Sequence, residues 1–129
     1  MRFLLDTHTL LWAEMAPETL SQPALAALAA PRAELLVSAA TALEIAIKWR
    51  LGKLKLPAPP GEFLRTRLAR SRITALHVSV EHAAHVASLP LLHTDPFDRL
   101  LVAQAQLEGL TLITRDEWIP RYDVTVLLA

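Results

Sequence analysis

Short apolar runs alternate with longer stretches of helical periodicity along most of this chain. Phe3-Leu4-Leu5, Leu35-Leu36-Val37, Thr74 to Val78, Thr111-Leu112-Ile113-Thr114 and Val124 to Leu128 have the length and composition of strands, each bounded by polar residues. Between them the spacing predicts helices over 8–15, 22–30, 39–51, 62–71, 80–88 and 96–108. Strands separated by helices imply an α/β fold, a three-layer α/β/α sandwich with a mostly parallel central sheet. Leu56-Pro57-Ala58-Pro59-Pro60-Gly61 breaks helix and reads as a surface loop too short to link domains, so residues 1–129 read as one domain. Gly109 follows the last periodic residues of its helix, as a helix-ending glycine does.

The polar residues at the ends of these runs add a second pattern. Asp6 ends the first strand, Ser38 ends the second and Asp116 lies just past the fourth. In a parallel sheet all such positions open on the carboxyl edge, where ligands of open α/β sheets bind. Asp98 opens the helix that leads into the fourth strand, and connectivity brings that helix start to the same edge.

Two acids of the line His93-Thr94-Asp95-Pro96-Phe97-Asp98 fall in one helix turn, with Pro96 suited to the first helical position. Helix capping accounts for Asp95 and leaves Asp98 as the acid expected to carry chemistry, with Asp95 as a supporting group. Glu44 is predicted to lie on a stripe with Ala40, Ile47 and Leu51, with Leu43 beside it, so that the carboxylate sits within an apolar face. An intrahelical pair with Lys48, four residues on, is the plainer explanation of that acid.

Composition narrows the chemistry. There is no cysteine, which excludes disulfides, thiolate nucleophiles and cysteine zinc sites and fits a reducing cytoplasm. Asp6 interrupts the N-terminal apolar stretch too early for a signal-peptide core, and no charge-free run is long enough to span a bilayer, so a cytoplasmic protein without membrane contact is expected. Net charge is zero but segregated: Lys48 to Arg72 holds eight Lys/Arg against the single acid Glu62, leaving five Lys/Arg against twelve acids elsewhere. A solvated helical face explains such a run, and so does a surface that attracts a phosphate backbone. Lys48 and Lys53 are the candidate phosphate contacts, because they follow Glu44 on its helix or just beyond.

If Asp6, Glu44, Asp98 and Asp116 converge, their mutual repulsion requires a cation or a proton. Hard oxygen donors favour Mg²⁺ or Mn²⁺, ions suited to hydrolysis of a phosphodiester. Other polar residues have plainer readings. His82 and His85 have helical spacing but no further ligand and are expected to be exposed. His8 and His93 lie near the expected pocket as candidates for phosphate contact or proton donation. Trp12, Trp49 and Trp118 are expected in core or interface packing rather than in base stacking.

The chain resembles the PIN-domain ribonucleases, and among them the VapC-type toxins of toxin–antitoxin pairs. The residues that carry the resemblance are Leu4-Leu5-Asp6-Thr7, the segment from Ser38 through Glu44-Ile45-Ala46-Ile47-Lys48 to Leu51-Gly52-Lys53-Leu54, the line from His93 to Ala105, and Thr111-Leu112-Ile113-Thr114-Arg115-Asp116. The resemblance implies metal-dependent RNA cleavage by an acidic quartet at Asp6, Glu44, Asp98 and Asp116, with hydroxyl support from Thr7, Ser38 or Thr114. It also implies a homodimer and a cognate antitoxin as protein partner. Two other classes compete. An inert PIN-like module would bind RNA or protein without cutting. A receiver or aspartyl-phosphate phosphatase would need a second acid near Asp6, where Asp6-Thr7-His8 has a histidine, and a receiver also an acid after the third strand, where Val78-Ser79 has none.

Overall fold

A computed structural model describes residues 1–129. Five strands, β1 (Arg2–Leu5), β2 (Glu34–Ser38), β3 (Ile73–Leu76), β4 (Thr111–Thr114) and β5 (Val126–Leu128), form one sheet in the order β3-β2-β1-β4-β5. Every pairing is parallel. Six helices intervene: α1 (Thr7–Met15), α2 (Gln22–Ala29), α3 (Ala39–Arg50), α4 (Pro60–Arg70), α5 (Val80–His85) and α6 (Pro96–Glu108).

Alternation along each strand divides the interior in two. Phe3, Leu5, Leu35, Val37 and Ile113 point to one face, where Leu10 and Leu11 of α1, Ala24 of α2, Ile45 of α3 and Phe63 of α4 cover them. Leu4, Leu36 and Leu112 point to the other and meet Leu101, Val102 and Ala105 of α6. With both faces covered, the central strands are apolar throughout, and each fully buried leucine or isoleucine contributes about 1.5–3 kcal/mol of transfer free energy. No helix is long and apolar enough to cross a membrane.

Several boundaries differ from the sequence expectation, each for a local reason. The predicted helix 80–88 is α5 followed by a separate 3-10 turn over Val86–Ser88. Helix α4 starts at Pro60, not at 62, because a proline at the first helical position gives up no intrahelical bond. At the sheet edges β3 ends at Leu76 and β5 begins only at Val126, each with a single neighbouring strand to pair with. Gly109 ends α6 in the left-handed conformation, φ 65°, and its N–H bonds the carbonyl of Ala105.

The sheet order reverses direction about β1, with β2 on one side and β4 on the other. Successive connections therefore leave in opposite directions and open a crevice at the carboxyl ends of β1 and β4. Asp6 and Asp116 stand on either side of that crevice.

Candidate metal centre

Asp6 is the first residue past β1 and the N-cap of α1. Its Oδ1 accepts from Thr9 N at 2.8 Å, and its Oδ2 accepts from the hydroxyl of Thr114, the last residue of β4, at 2.5 Å. Thr114 Oγ1 in turn accepts from Asp116 N at 3.0 Å, so one hydroxyl ties the two acids across adjacent strands. Asp116 Oδ1 accepts from Trp118 N and Ile119 N, which closes the turn after β4. Its Oδ2 has no protein partner.

Glu44 and Ala40 are buried as expected, but the rest of the stripe expected with them is not. The buried residues of α3 are Ala40, Thr41, Glu44 and Ile45, whereas Leu43, Ile47 and Leu51 are 55%, 41% and 63% exposed. The stripe expected through Ala40, Glu44, Ile47 and Leu51 thus divides, with Ile47, Leu51 and the adjacent Leu43 on the outer face and Ala40 and Glu44 looking inward beside Thr41. Its Oε1 accepts from Thr7 Oγ1 at 2.5 Å and its Oε2 from Lys48 Nζ at 2.6 Å. The intrahelical pair is present, and it coexists with burial of the acid in the cleft. The Ser38 hydroxyl bonds none of the acids and caps α3 by accepting from Ala40 N.

At the start of α6, Asp95 caps the helix, its Oδ1 accepting from Phe97 N and Asp98 N. Asp98 is left free of capping duty. Burial pushes its carboxyl up to about 8, and the charges of Asp95, Asp116, Asp6 and Glu44 push the same way. All four members of the expected quartet, with Asp95, line one cleft of about 300 Å³. Lys48 and Arg115 are its only Lys or Arg side chains; Lys53 is exposed and lies off it.

The tightest grouping within this region includes a histidine. A ring nitrogen of His93 and one carboxylate oxygen each from Asp98 and Asp116 lie within 4.8 Å of one another. His93 Nε2 is 3.4 Å from Asp98 Oδ2, and Nδ1 is 2.7 Å from Tyr122 Oη. The ring stacks on Trp118 at 5.9 Å between centroids and 9° between planes. Arg99, buried on α6, donates to Tyr122 Oη at 3.0 Å and to the carbonyls of Pro90 and Val86. Sequence reasoning passed over Arg99 and Tyr122; the available signal was an arginine interrupting the apolar face of α6.

Other expectations change with packing. His82 is buried, against the expectation of exposure: α5 lies on α6, and His82 Nε2 meets Glu108 at 3.0 Å while Nδ1 accepts from Ser79 N. His85 is half-buried against Gln106. His8 is exposed at the cleft, and Trp12 lines it beneath the Arg115 guanidinium, 4.5 Å from the ring centroid. Trp12 therefore packs on the core and also forms a wall of the cleft.

The model of the PIN domain family matches residues 3–124. This chain belongs to the PIN-domain family. Among curated relatives it is 44% identical over 54 residues to ribonuclease VapC16 of Mycobacterium tuberculosis, a match covering 42% of this chain and 38% of that protein. The match thus spans well under half of the curated relative. Among solved structures it is similar to VapBC2 of Rickettsia felis bound to a fragment of promoter DNA, with a TM-score of 0.73, 18% identity and 98% of each chain covered. It is also similar to a toxin–antitoxin complex from Klebsiella pneumoniae, with a TM-score of 0.61, 24% identity, and 97% of this chain and 95% of that one covered. At these identities the structural likenesses establish the PIN fold. The receiver and phosphatase readings have no support in this membership.

Proposed function

We propose that this PIN-domain protein is a metal-dependent endoribonuclease of the VapC toxin type, acting on RNA in the cytoplasm and restrained by a cognate antitoxin. The observation that carries the reading is the meeting of Asp6, Glu44, Asp98 and Asp116, from four separate elements, in one cleft at the switch point of the sheet. The ribonuclease name of the curated relative and the toxin–antitoxin complex among the structural neighbours support it.

The donor set fits a small hard cation. It offers only carboxylate oxygens from the quartet, and Asp98, raised first by burial and further by the charges of Asp95, Asp116, Asp6 and Glu44, is a carboxyl that a bound cation would help to ionise. Asp6, Glu44, Asp98 and Asp116 would hold Mg²⁺ or Mn²⁺, which when bound lowers the pKa of water and stabilises charge on the leaving oxygen of a phosphodiester.

The chain's own groups prepare that site. Thr7 and Thr114 each hold one carboxylate oxygen of Glu44 and Asp6, which fixes the remaining lone pairs in direction. Lys48 and Arg115 place positive charge on a cleft otherwise acidic, where an RNA phosphate can sit. Lys53, exposed just beyond α3 and not lining the cleft, would reach only the backbone of a longer strand.

A homodimer is also proposed, formed through the outer face of α3. Leu43, Ile47 and Leu51 recur every four residues and stand exposed, and Leu43 borders an apolar depression with Val78, Phe97 and Leu100.

The test of the activity is incubation of the purified protein with labelled RNA and Mg²⁺ or Mn²⁺, with EDTA and Asp6→Asn as controls. Cleavage abolished by both controls is the expected result. Cleavage that survives both refutes the reading, and RNA retention without cleavage identifies an inert binding module instead.

A further inference from the structure

We propose that His93 is itself a ligand of the divalent cation, through Nε2 beside Asp98 and Asp116, making the centre a mixed nitrogen and oxygen site that favours Mn²⁺ over Mg²⁺. The inference rests on the acidic metal centre proposed above and adds to it a residue outside the acidic quartet.

Geometry is the first support. The three donor atoms lie within 4.8 Å of one another, and the ligands of one ion with bonds of about 2.1 Å stand at most about 4.2 Å apart. Small side-chain rotations close the difference. The contact of Nε2 with Asp98 Oδ2, at 3.4 Å, is longer than a good N–H to oxygen bond, so Nε2 is not committed to a hydrogen bond.

The second support is the mounting of the ring, which is independent of the acids. A ligating histidine needs its other nitrogen bonded, so that tautomer and direction are set. Here Nδ1 meets Tyr122 Oη at 2.7 Å; with the proton on Nδ1 and donated to that oxygen, the lone pair is left on Nε2. Tyr122 is held in turn by buried Arg99, which also ties down the carbonyls of Pro90 and Val86 in the segment leading to His93. Trp118 stacks on the ring and Trp118 N bonds Asp116 Oδ1, so the same residue braces two of the three donors.

Ligand chemistry supplies the preference. Mg²⁺ takes oxygen donors almost exclusively; Mn²⁺ shares its preference for carboxylates but, as a member of the first-row transition series, tolerates a nitrogen donor better than Mg²⁺ does. A site with one nitrogen therefore discriminates against Mg²⁺.

The experiment is pulsed electron paramagnetic resonance on the full chain loaded with Mn²⁺, alongside calorimetric titration with Mn²⁺ and with Mg²⁺. The wild type should show ¹⁴N modulation from a directly bound ring nitrogen, which converts to a ¹⁵N pattern when histidine alone is labelled. His93→Gln should lose the modulation and about ten-fold or more in Mn²⁺ affinity, with a much smaller change for Mg²⁺. Labelling needs no substitution, so the proposal stays testable if His93→Gln folds poorly. Mn²⁺ bound without nitrogen modulation, or modulation that survives His93→Gln, overturns the role of His93 and leaves the carboxylate centre intact. Failure to bind either ion overturns both.

Discussion

Thr114 donates its hydroxyl to Asp6 Oδ2 at 2.5 Å and accepts from Asp116 N at 3.0 Å, joining two acids that are 110 positions apart in the chain. Thr114→Val keeps the shape and removes both bonds inside a fully buried environment. The expected cost is about 1–3 kcal/mol, the penalty of stranding buried polar groups, together with weaker divalent-ion binding. Chemical denaturation and calorimetric titration check the two effects; unchanged ion affinity would show that the hydroxyl only builds the sheet edge.

Asp98 gives the metal-free protein a defined pH dependence. Its carboxyl is raised in the folded state to about 8 from an ordinary value of 3.8, so the folded chain holds a proton that the unfolded chain releases first. Its favourable contribution is complete below the ordinary value and is lost as pH rises towards about 8. In EDTA, melting temperature should fall between pH 5 and pH 9, and Asp98→Asn should flatten this slope. Saturating Mn²⁺ should raise the melting temperature most at the alkaline end, because cation and proton compete for the same carboxyl.

Asp95 and Asp98 should separate cleanly on substitution. Asp95→Ala removes a cap that serves two backbone N–H groups and should cost about 1 kcal/mol while leaving most divalent-ion affinity in place. Asp98→Asn should leave stability at neutral pH unchanged or improved, since it removes a group that must take up a proton to fold, and should abolish cleavage and weaken ion binding. Thermal melts and titrations on the pair are sufficient; the reverse pattern would reassign the ligand.

Ile47→Glu tests the outer face of α3. Ile47 is 41% exposed, so a charge there should be accommodated with a change in monomer stability within about 0.5 kcal/mol. Sedimentation should show the wild type as a dimer and the variant as a monomer. A monomeric wild type refutes the proposed interface.

The acids at the strand ends were legible because their placement follows from connectivity. Once β1 and β4 are read as parallel neighbours of a covered sheet, Asp6 and Asp116 must share an edge, and the start of α6 must return to it. The capping role of Asp95 was legible too, since an N-cap is decided within a few residues. The inward face of α3 was legible only in part. Periodicity identified a stripe through Ala40, Glu44, Ile47 and Leu51 with Leu43 beside it; Ala40 and Glu44 are buried together with Thr41 and Ile45, while Leu43, Ile47 and Leu51 stay exposed.

By itself, the sequence determined the alternation of strands and helices, their caps and the sheet edge on which the acids gather, because hydrophobic period, capping and connectivity act over short spans of chain. Only the tertiary structure decided that Ile47 and Leu51 face outward while Glu44 faces inward with Thr41 and Ile45, that His82 is buried against Glu108, and that Arg99, Tyr122 and Trp118 mount His93 beside Asp98 and Asp116. These relationships pair elements distant in the chain, and which face of a helix leaves water depends on the surface it meets, a quantity that local pattern does not contain.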